Sequence, residues 1–397
     1  MSVCVCHATT WSLEPTNSLP TLIAFSRAVA DVAVLVFFVL SGVVIGLNER
    51  GQFDRCSLVG YALRRLVRIM PIYIIALALG AVASGDFAWR HWLIDLVFGQ
   101  MWIAPSPSGN GPLWSLHYEM VFYSIFPFFV AIRSNWRILY CAALVCSGLL
   151  FLTNTHVVVV MAYFSMWAAG YLIACNINRS KHHDYVHHHA IALLLASVAF
   201  FLANPFVPII ARFAEPISFV RSLPHPTLAA FAGIAIAVFL GASVGVGRKL
   251  VIPSFSIVAG LVGVTVGGAA YRHLLTMPIY SAAFISIVVA GLVFALGRPV
   301  RLNRKWIVKL GGISYGLYAI HAPLLLVTLD ATRQFPGYLR AAALAQWAIV
   351  TAILAWILER KLQSAVARCV KVALPVMLSR PKPAESLMIS VPFASGE

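Results

Sequence analysis

Residues 111–127 read Gly-Pro-Leu-Trp-Ser-Leu-His-Tyr-Glu-Met-Val-Phe-Tyr-Ser-Ile-Phe-Pro, which begins like a membrane-spanning helix but has ionisable groups in its first two turns. Glu119 is the only acid of the chain that lies more than a few residues inside a predicted apolar span. A carboxylate there is costly in a bilayer, so it is predicted to be functional. Two roles stay open for Glu119: a hydrogen-bonded helix anchor, or a group that orients or charges a catalytic residue.

The composition around this stretch predicts an all-α polytopic membrane protein. The 397 residues are 61% hydrophobic and only 11% charged, whereas soluble domains have about 25% charged residues. The apolar runs are roughly 17–22 residues long, enough to cross a hydrocarbon core of ~30 Å. About eleven transmembrane helices are predicted, at 28–47, 69–85, 113–132, 137–153, 157–176, 188–203, 227–246, 250–270, 279–297, 311–329 and 340–359.

The chain has no internal repeat and is predicted to form one membrane domain, residues 1–372, followed by a disordered cytoplasmic tail, residues 373–397. The segment 88–103 is amphipathic and is predicted to lie at the membrane interface.

The net charge of +16 is explained by topology and does not indicate nucleic-acid binding. Of the 29 Lys and Arg residues, 22 fall in alternate loops and at the C-terminal end, and 7 fall on the other side. Because basic residues concentrate in cytoplasmic loops, the basic side is predicted to be cytoplasmic, with the C-terminus on it. The predicted location is the cytoplasmic membrane.

The sequence predicts no metal site. The seven cysteines lack metal-ligand spacing, and we interpret them as free thiols. A histidine cluster, which could bind a metal in principle, has no cysteine or carboxylate framework beyond Asp184, so we interpret it as a solvated loop. Its members are His182, His183, His187, His188 and His189.

Arg64, Arg65 and Arg68 begin the second predicted span. On a helix, Arg64 and Arg68 share a face, and Arg65 lies close to it. Guanidinium groups bind phosphates through paired hydrogen bonds, so this cluster suits a polyphosphate. Anchoring of the helix by anionic lipids is the alternative that the spacing leaves open.

Another predicted span has a polar stripe. Ser314, Tyr318 and His321 are spaced to share one helix face, and Tyr315 lies beside them. A single histidine in a membrane helix is often a packing residue, but a histidine aligned with Tyr and Ser favours a functional site.

Together these stretches resemble the acyltransferase 3 family of integral membrane acyltransferases, which O-acylate sugars and envelope glycans. The resemblance covers about residues 3–360. Phe37-Phe-Val-Leu-Ser-Gly42 resembles the family's FFxLSG helix, and Arg64–Pro71 its Arg-x-x-Arg motif. Trp114–Tyr123 resembles its WSLxxE…FY helix, Ser314–His321 its SYxLYLxH helix, and Glu359-Arg360 its late Glu-Arg.

The resemblance implies transfer of an acyl group, acetyl above all, from acyl-CoA to a hydroxyl of a sugar or envelope glycan. It implies no permanently bound cofactor, and its partners are acyl-CoA, the glycan acceptor and the lipid bilayer. The implied catalytic residues are His7 as general base, Glu119 and His321; the donor would be bound by Arg64, Arg65 and Arg68; and the acceptor by Trp114, Ser115, Ser314, Tyr315 and Tyr318.

Two alternatives stay open at this stage. Many spans with an intramembrane acid and a histidine stripe also fit a transporter or flippase of a polar or lipid-linked substrate. In addition, residues 3–8 resemble only the end of the family's first helix, and its Arg-Gly portion is absent from the sequence. This predicts either a start upstream of Met1 or an inactive, truncated member.

Overall fold

The structure is a computed structural model that describes residues 2–13, 19–49, 55–103, 109–132, 135–149, 156–177, 185–203, 225–244, 246–271, 277–301, 309 and 311–373. The predicted disorder of the C-terminal tail concerns residues that, apart from 373, lie outside these ranges, as do His182 and His183.

The described chain is helical. Its helices are α1 (Ser2–Leu13), α2 (Pro20–Asn48), α3 (Arg55–Ser84), α4 (Trp89–Leu96), α5 (Trp114–Ala131), α6 (Trp136–Leu149), α7 (His156–Asn176), α8 (His188–Ala203), α9 (His225–Ser243), α10 (Val251–Tyr271), α11 (Pro278–Leu296), α12 (Ser314–Ala331), α13 (Gly337–Ile357) and α14 (Gln363–Ala373). A π-helical turn, Leu358–Leu362, joins α13 to α14. Two short strands, β1 (Tyr185–Val186) and β2 (Val300–Arg301), pair antiparallel.

Each predicted span corresponds to a helix, but eleven membrane crossings remain a prediction. Among the described residues, six helices are long and apolar enough to cross a membrane, and three apolar helices are shorter. The helices α5 and α12, which have the polar residues of interest, belong to neither group. Large apolar side chains on the outer helix faces, such as Val264 and Leu296, are more than two-thirds exposed, as a lipid-facing surface requires.

The helices α2 and α7 cross at backbone contact. A Cβ added to Gly42 would lie 1.9 Å from the carbonyl oxygen of Trp167. A Cβ added to Gly170 would lie 1.9 Å from the carbonyl oxygen of Val39. Only glycine fits at either position, and this close approach is typical of helix pairs in membranes.

The helix α2 begins earlier than the predicted span, and this changes one sequence-based conclusion. Because α2 starts at Pro20, Asp31 lies near its middle. Glu119 is therefore not the only acid deep inside a long apolar helix. A span limit drawn from hydropathy alone placed Asp31 near a helix end.

The helices α1, α3, α5 and α12 position the polar residues that the sequence singled out. The helix α1 packs on α2 and α12, and α12 packs on α3. Asn110, which is fully buried, precedes α5 and donates from Nδ2 to the carbonyl oxygens of Ala76 (3.1 Å) and Ala319 (2.9 Å). This amide ties the entrance of α5 to both α3 and α12.

Candidate active site

His7 and His321 are in direct contact, although 314 positions separate them in the chain. His7 Nδ1 lies 2.8 Å from His321 Nε2, and the two rings are within 5° of parallel. The ring of Trp11 also stacks on that of His7, with the two centroids 5.0 Å apart. The helix α1 continues six residues beyond His7, so this histidine lies within the helix and not at its end.

The hydrogen bonds assign the tautomers of both rings. His321 Nδ1 lies 2.7 Å from the carbonyl oxygen of Tyr318, which can only accept, so Nδ1 has the proton. Neither ring has a carboxylate hydrogen-bond partner among the described residues, so we take both rings as neutral. Because His321 has its proton on Nδ1, its Nε2 is then an acceptor. His7 Nδ1 then donates to it, and the lone pair of His7 Nε2 is left available to accept a proton.

Tyr318 also connects this histidine pair to α5. Its hydroxyl donates a short hydrogen bond to the carbonyl oxygen of Pro112 and accepts one from Ser115 Oγ, at 2.8 Å. Trp114, beside Ser115, packs its ring against those of Tyr118 and Tyr163. The start of α5 and the middle of α12 are thus joined at the histidine pair.

Glu119 lies one turn further along α5 and is 5% exposed. Ser41 Oγ donates to its Oε1 at 2.8 Å, and the Tyr123 hydroxyl donates a short hydrogen bond to the same oxygen. No described basic side chain forms an ion pair with it. Hydrogen bonds from two hydroxyl groups therefore hold this carboxylate.

Arg64 and Arg65 share a carboxylate that the sequence analysis missed. Glu49, directly after α2, accepts from Arg64 Nη2 and from Arg65 Nη2, both at 2.8 Å. Arg64 Nη1 and Arg65 Nε are buried and have no hydrogen-bond acceptor among the described residues. Two guanidinium groups paired with one carboxylate have a net positive charge, and the N–H groups at Arg64 Nη1 and Arg65 Nε have no acceptor among the described residues.

Arg68 belongs to a second ion pair and not to the same group. It donates from Nη1 and Nη2 to Glu359 in the π-helical turn, and the amide of Gly316 donates to Glu359 Oε1 at 3.0 Å. The guanidinium lies over the ring of Tyr315, at 5.6 Å from its centroid. Because the side chain of Arg68 is 45% exposed, it remains accessible to a ligand.

The predicted site residues therefore fall into two groups. His7, His321, Tyr318 and Ser115 surround one end of α5. Arg64, Arg65, Arg68 and Tyr315 form the second group, in which Arg65 lies over the ring of Tyr123 in the middle of α5. Ser314 joins neither group, since it is exposed at the start of α12 and donates to the carbonyl oxygen of Gly311 at 2.8 Å; its role in acceptor binding stays a prediction.

Two residues that the sequence analysis did not single out support these groups. Glu49 balances part of the positive charge of Arg64 and Arg65. Its position in the sequence, as an acid that precedes a basic cluster, could have indicated this pairing. Asn110 is fixed by backbone carbonyls of two helices distant in sequence, which no sequence pattern could have indicated.

Comparisons with known proteins identify the family of this chain. The sequence model of the acyltransferase 3 family, described as an acyltransferase domain, matches residues 1–245. Acyltransferase MdmB of Streptomyces mycarofaciens is 27% identical over 162 residues, which are 36% of this chain and 40% of that protein. The chain thus aligns with less than half the length of that relative. No solved structure matches the chain.

The residues matched by the family model include His7, the arginines and Glu119, whereas His321 and Glu359 lie beyond them. The structure places these two later residues against His7 and Arg68. The described helices that are long enough to cross a bilayer indicate an integral membrane protein, and from the family match we conclude that this chain belongs to the acyltransferase 3 family.

Proposed function

We propose that this protein transfers an acyl group, acetyl in the first instance, from acyl-CoA to a hydroxyl group of a sugar or envelope glycan. The observation that carries the proposal is the hydrogen-bonded series from His7 through His321 to the carbonyl oxygen of Tyr318. It leaves His7 Nε2 as a proton acceptor on a residue that the family match includes.

His7 is the general base in this proposal. An acceptor hydroxyl that attacks a thioester carbonyl must lose its proton, and His7 Nε2 takes it. The new ester bond forms as the carbon–sulfur bond breaks, and His7 returns the proton to the leaving thiolate, so that an ester and a free thiol result. His321 acts as a positioning residue, because its Nε2 accepts a hydrogen bond from His7 Nδ1 and so holds the His7 ring in the productive tautomer.

The arginine groups fit the phosphates of the donor. Arg64 Nη1 and Arg65 Nε are buried donors without acceptors, and leaving such donors unpaired is unfavourable. Arg68 is accessible. Phosphate oxygens would supply the missing acceptors and the missing negative charge.

The two groups of residues are separated by a distance that suits an extended donor. Ser115 contacts the histidine group and Tyr123 lies over Arg65. These residues are eight positions apart on α5, which is about 12 Å at 1.5 Å per residue. His321 and Tyr315 are six positions apart on α12, or about 9 Å. The pantetheine arm of CoA could cover this distance, with its phosphates at the arginines and its thioester at His7.

Glu119, Trp114 and Ser115 are assigned to the acceptor side. Glu119 is held by Ser41 and Tyr123 between the two groups. In the membrane orientation predicted from the basic residues, the donor enters from the cytoplasm and the acceptor is reached from the outside.

The proposal is tested in sealed vesicles that contain the protein. Labelled acetyl-CoA supplied on the side of the arginines should acetylate glycan on the opposite side, and mass spectrometry of the envelope glycan should show acetyl groups only when the gene is present. Acylation confined to the cytoplasmic side would overturn the proposed entry routes. Unchanged glycan mass with less surface material would indicate a transporter, and no change in either would indicate an inactive member.

A further inference from the structure

Three members of the histidine cluster noted in the sequence, His187, His188 and His189, lie at the start of α8. His187 precedes the helix and caps it, since its carbonyl oxygen accepts from the amides of Ala190 (3.0 Å) and Ile191 (3.3 Å). His188 and His189 are the first two residues of α8. The acyl-transfer chemistry proposed for this chain does not use these three residues.

The three imidazoles converge. One ring nitrogen from each of His187, His188 and His189 lies within 4.8 Å of the other two. The ring centroids of His188 and His189 are 4.1 Å apart, and that of His187 is 5.0 and 5.3 Å from them. Three consecutive residues of a regular helix point about 100° apart, so this convergence depends on the break in the helix at His187.

Packing on α11 and the strand pair fixes this arrangement. The ring of His189 lies 4.5 Å from that of Phe294, between centroids. A Cβ added to Gly297 would lie 2.7 Å from the Cβ of His188, so the two backbones are in close contact. Directly before the cluster, Val186 pairs with Val300 in the strand pair. The histidines are therefore held from both sides.

One of the ring nitrogens has an unmet requirement. His188 Nδ1 is buried and has no hydrogen-bond partner among the described residues. A buried imidazole nitrogen without a partner is unfavourable, and such atoms in folded proteins call for an explanation. A ligand that bonds to this nitrogen would remove the cost.

We propose that His187, His188 and His189 form a binding site for a divalent transition-metal ion, with Zn²⁺ as the best match. Imidazole nitrogen suits Zn²⁺, Cu²⁺ and Ni²⁺, and three protein ligands with a water molecule in the fourth position are a common zinc arrangement. The positive end of the α8 dipole opposes a cation, but the effect is small beside three metal–nitrogen bonds. The ion would link α8 to the β1–β2 pair.

The test uses detergent-purified full-length protein without a polyhistidine tag. Co²⁺ is titrated in, and its visible absorption reports tetrahedral coordination. The wild type should bind about one Co²⁺ per chain, which Zn²⁺ displaces. The double variant H188Q/H189Q should bind it at least about tenfold more weakly. H91Q, which changes an exposed histidine paired with Asp86, is the matched control and should bind like the wild type.

A second measurement guards against a misfolded variant. H187Q removes the outermost, exposed ligand and should fold normally, yet it should show the same loss of tetrahedral absorption. Zn²⁺ should also raise the Tm of the wild type and of H91Q but not of H187Q. Equal binding by the wild type and H188Q/H189Q, or no tetrahedral Co²⁺ signal from the wild type, would overturn the proposal.

Discussion

The two ends of the candidate site, the histidine group and the arginine group, satisfy buried polar groups in opposite ways. At the histidine end, neutral groups form a directed series in which every donor has an acceptor until His7 Nε2. At the arginine end, full charges are paired with Glu49 and Glu359, and two guanidinium donors are left over. One end therefore has a spare acceptor, and the other has spare donors.

This difference suggests a division of labour. A spare lone pair suits proton removal, and spare cationic donors suit phosphate binding. Tyr123 connects the arginine end to Glu119, because it donates to Glu119 while its ring lies under Arg65. Substitutions at the histidine end should change turnover, and substitutions at the arginine end should change donor affinity and stability.

The largest effect is expected for His7→Ala. Loss of the general base should lower kcat about 10³-fold, with thiol release from acetyl-CoA as the measurement. CoA binding, followed by calorimetry, should stay at the wild-type affinity because no arginine is altered. Full turnover by this variant would show that His7 is not the general base.

Glu49→Ala should be the most destabilising change at the arginine end. It leaves Arg64 and Arg65 without their shared carboxylate in a mostly buried position, which costs about 3 kcal/mol. The measurement is thermal or denaturant unfolding in detergent. Asp86→Asn, which disrupts an exposed pair with His91, is the control and should cost less than about 1 kcal/mol.

Glu49→Gln tests the same ion pairs through their effect on CoA binding. The amide keeps the size of the side chain and removes the negative charge that competes with phosphate. CoA should therefore bind several-fold more tightly to a protein of lower stability. Weaker CoA binding by a folded Glu49→Gln protein would show that these arginines do not hold the donor.

His321→Leu should lower kcat about 10²-fold, because His7 loses the acceptor that fixes its tautomer. His321→Gln is the matched control, since its side-chain oxygen can still accept from His7 Nδ1, and its loss should be within about tenfold. Comparing kcat with KM for both variants distinguishes positioning from folding. If Gln and Leu lowered kcat equally, the positioning role would be rejected.

Glu119→Gln should lower turnover about tenfold, because the two hydroxyl donors keep an oxygen acceptor but lose its charge. CoA affinity should be largely intact, as measured by calorimetry. Loss of donor binding would contradict the assignment of Glu119 to the acceptor side.

Much of this site could be predicted from residue type and spacing. The arginine cluster, the acid in α5 and the stripe of Tyr318 and His321 are local patterns, because helical periodicity determines which side chains share a face. The arginines were predicted to begin a span, but α3 begins at Arg55, so they lie within the helix. Ser314 shows the limit of that reasoning. It has the right spacing for the stripe but lies at an exposed helix start, where its hydroxyl bonds to local backbone.

The pairing of residues across the fold could not be predicted. His7 and His321 meet because α1 packs on α12, and nothing near either residue specifies that contact. The same holds for Arg68 and Glu359, which lie 291 positions apart. The three histidines at the start of α8 give a further case, since their convergence depends on a helix start and on packing against α11.

The sequence by itself determined that this protein is a helical membrane protein, because long apolar runs leave the backbone no other way to satisfy its hydrogen bonds in a bilayer. It also determined which ionisable side chains are energetically costly in apolar helices, and so which ones are candidates for a functional site. Only the tertiary structure decided what each of them bonds to. A hydrogen bond needs its donor and acceptor within about 3 Å, and across hundreds of residues only helix packing sets such distances.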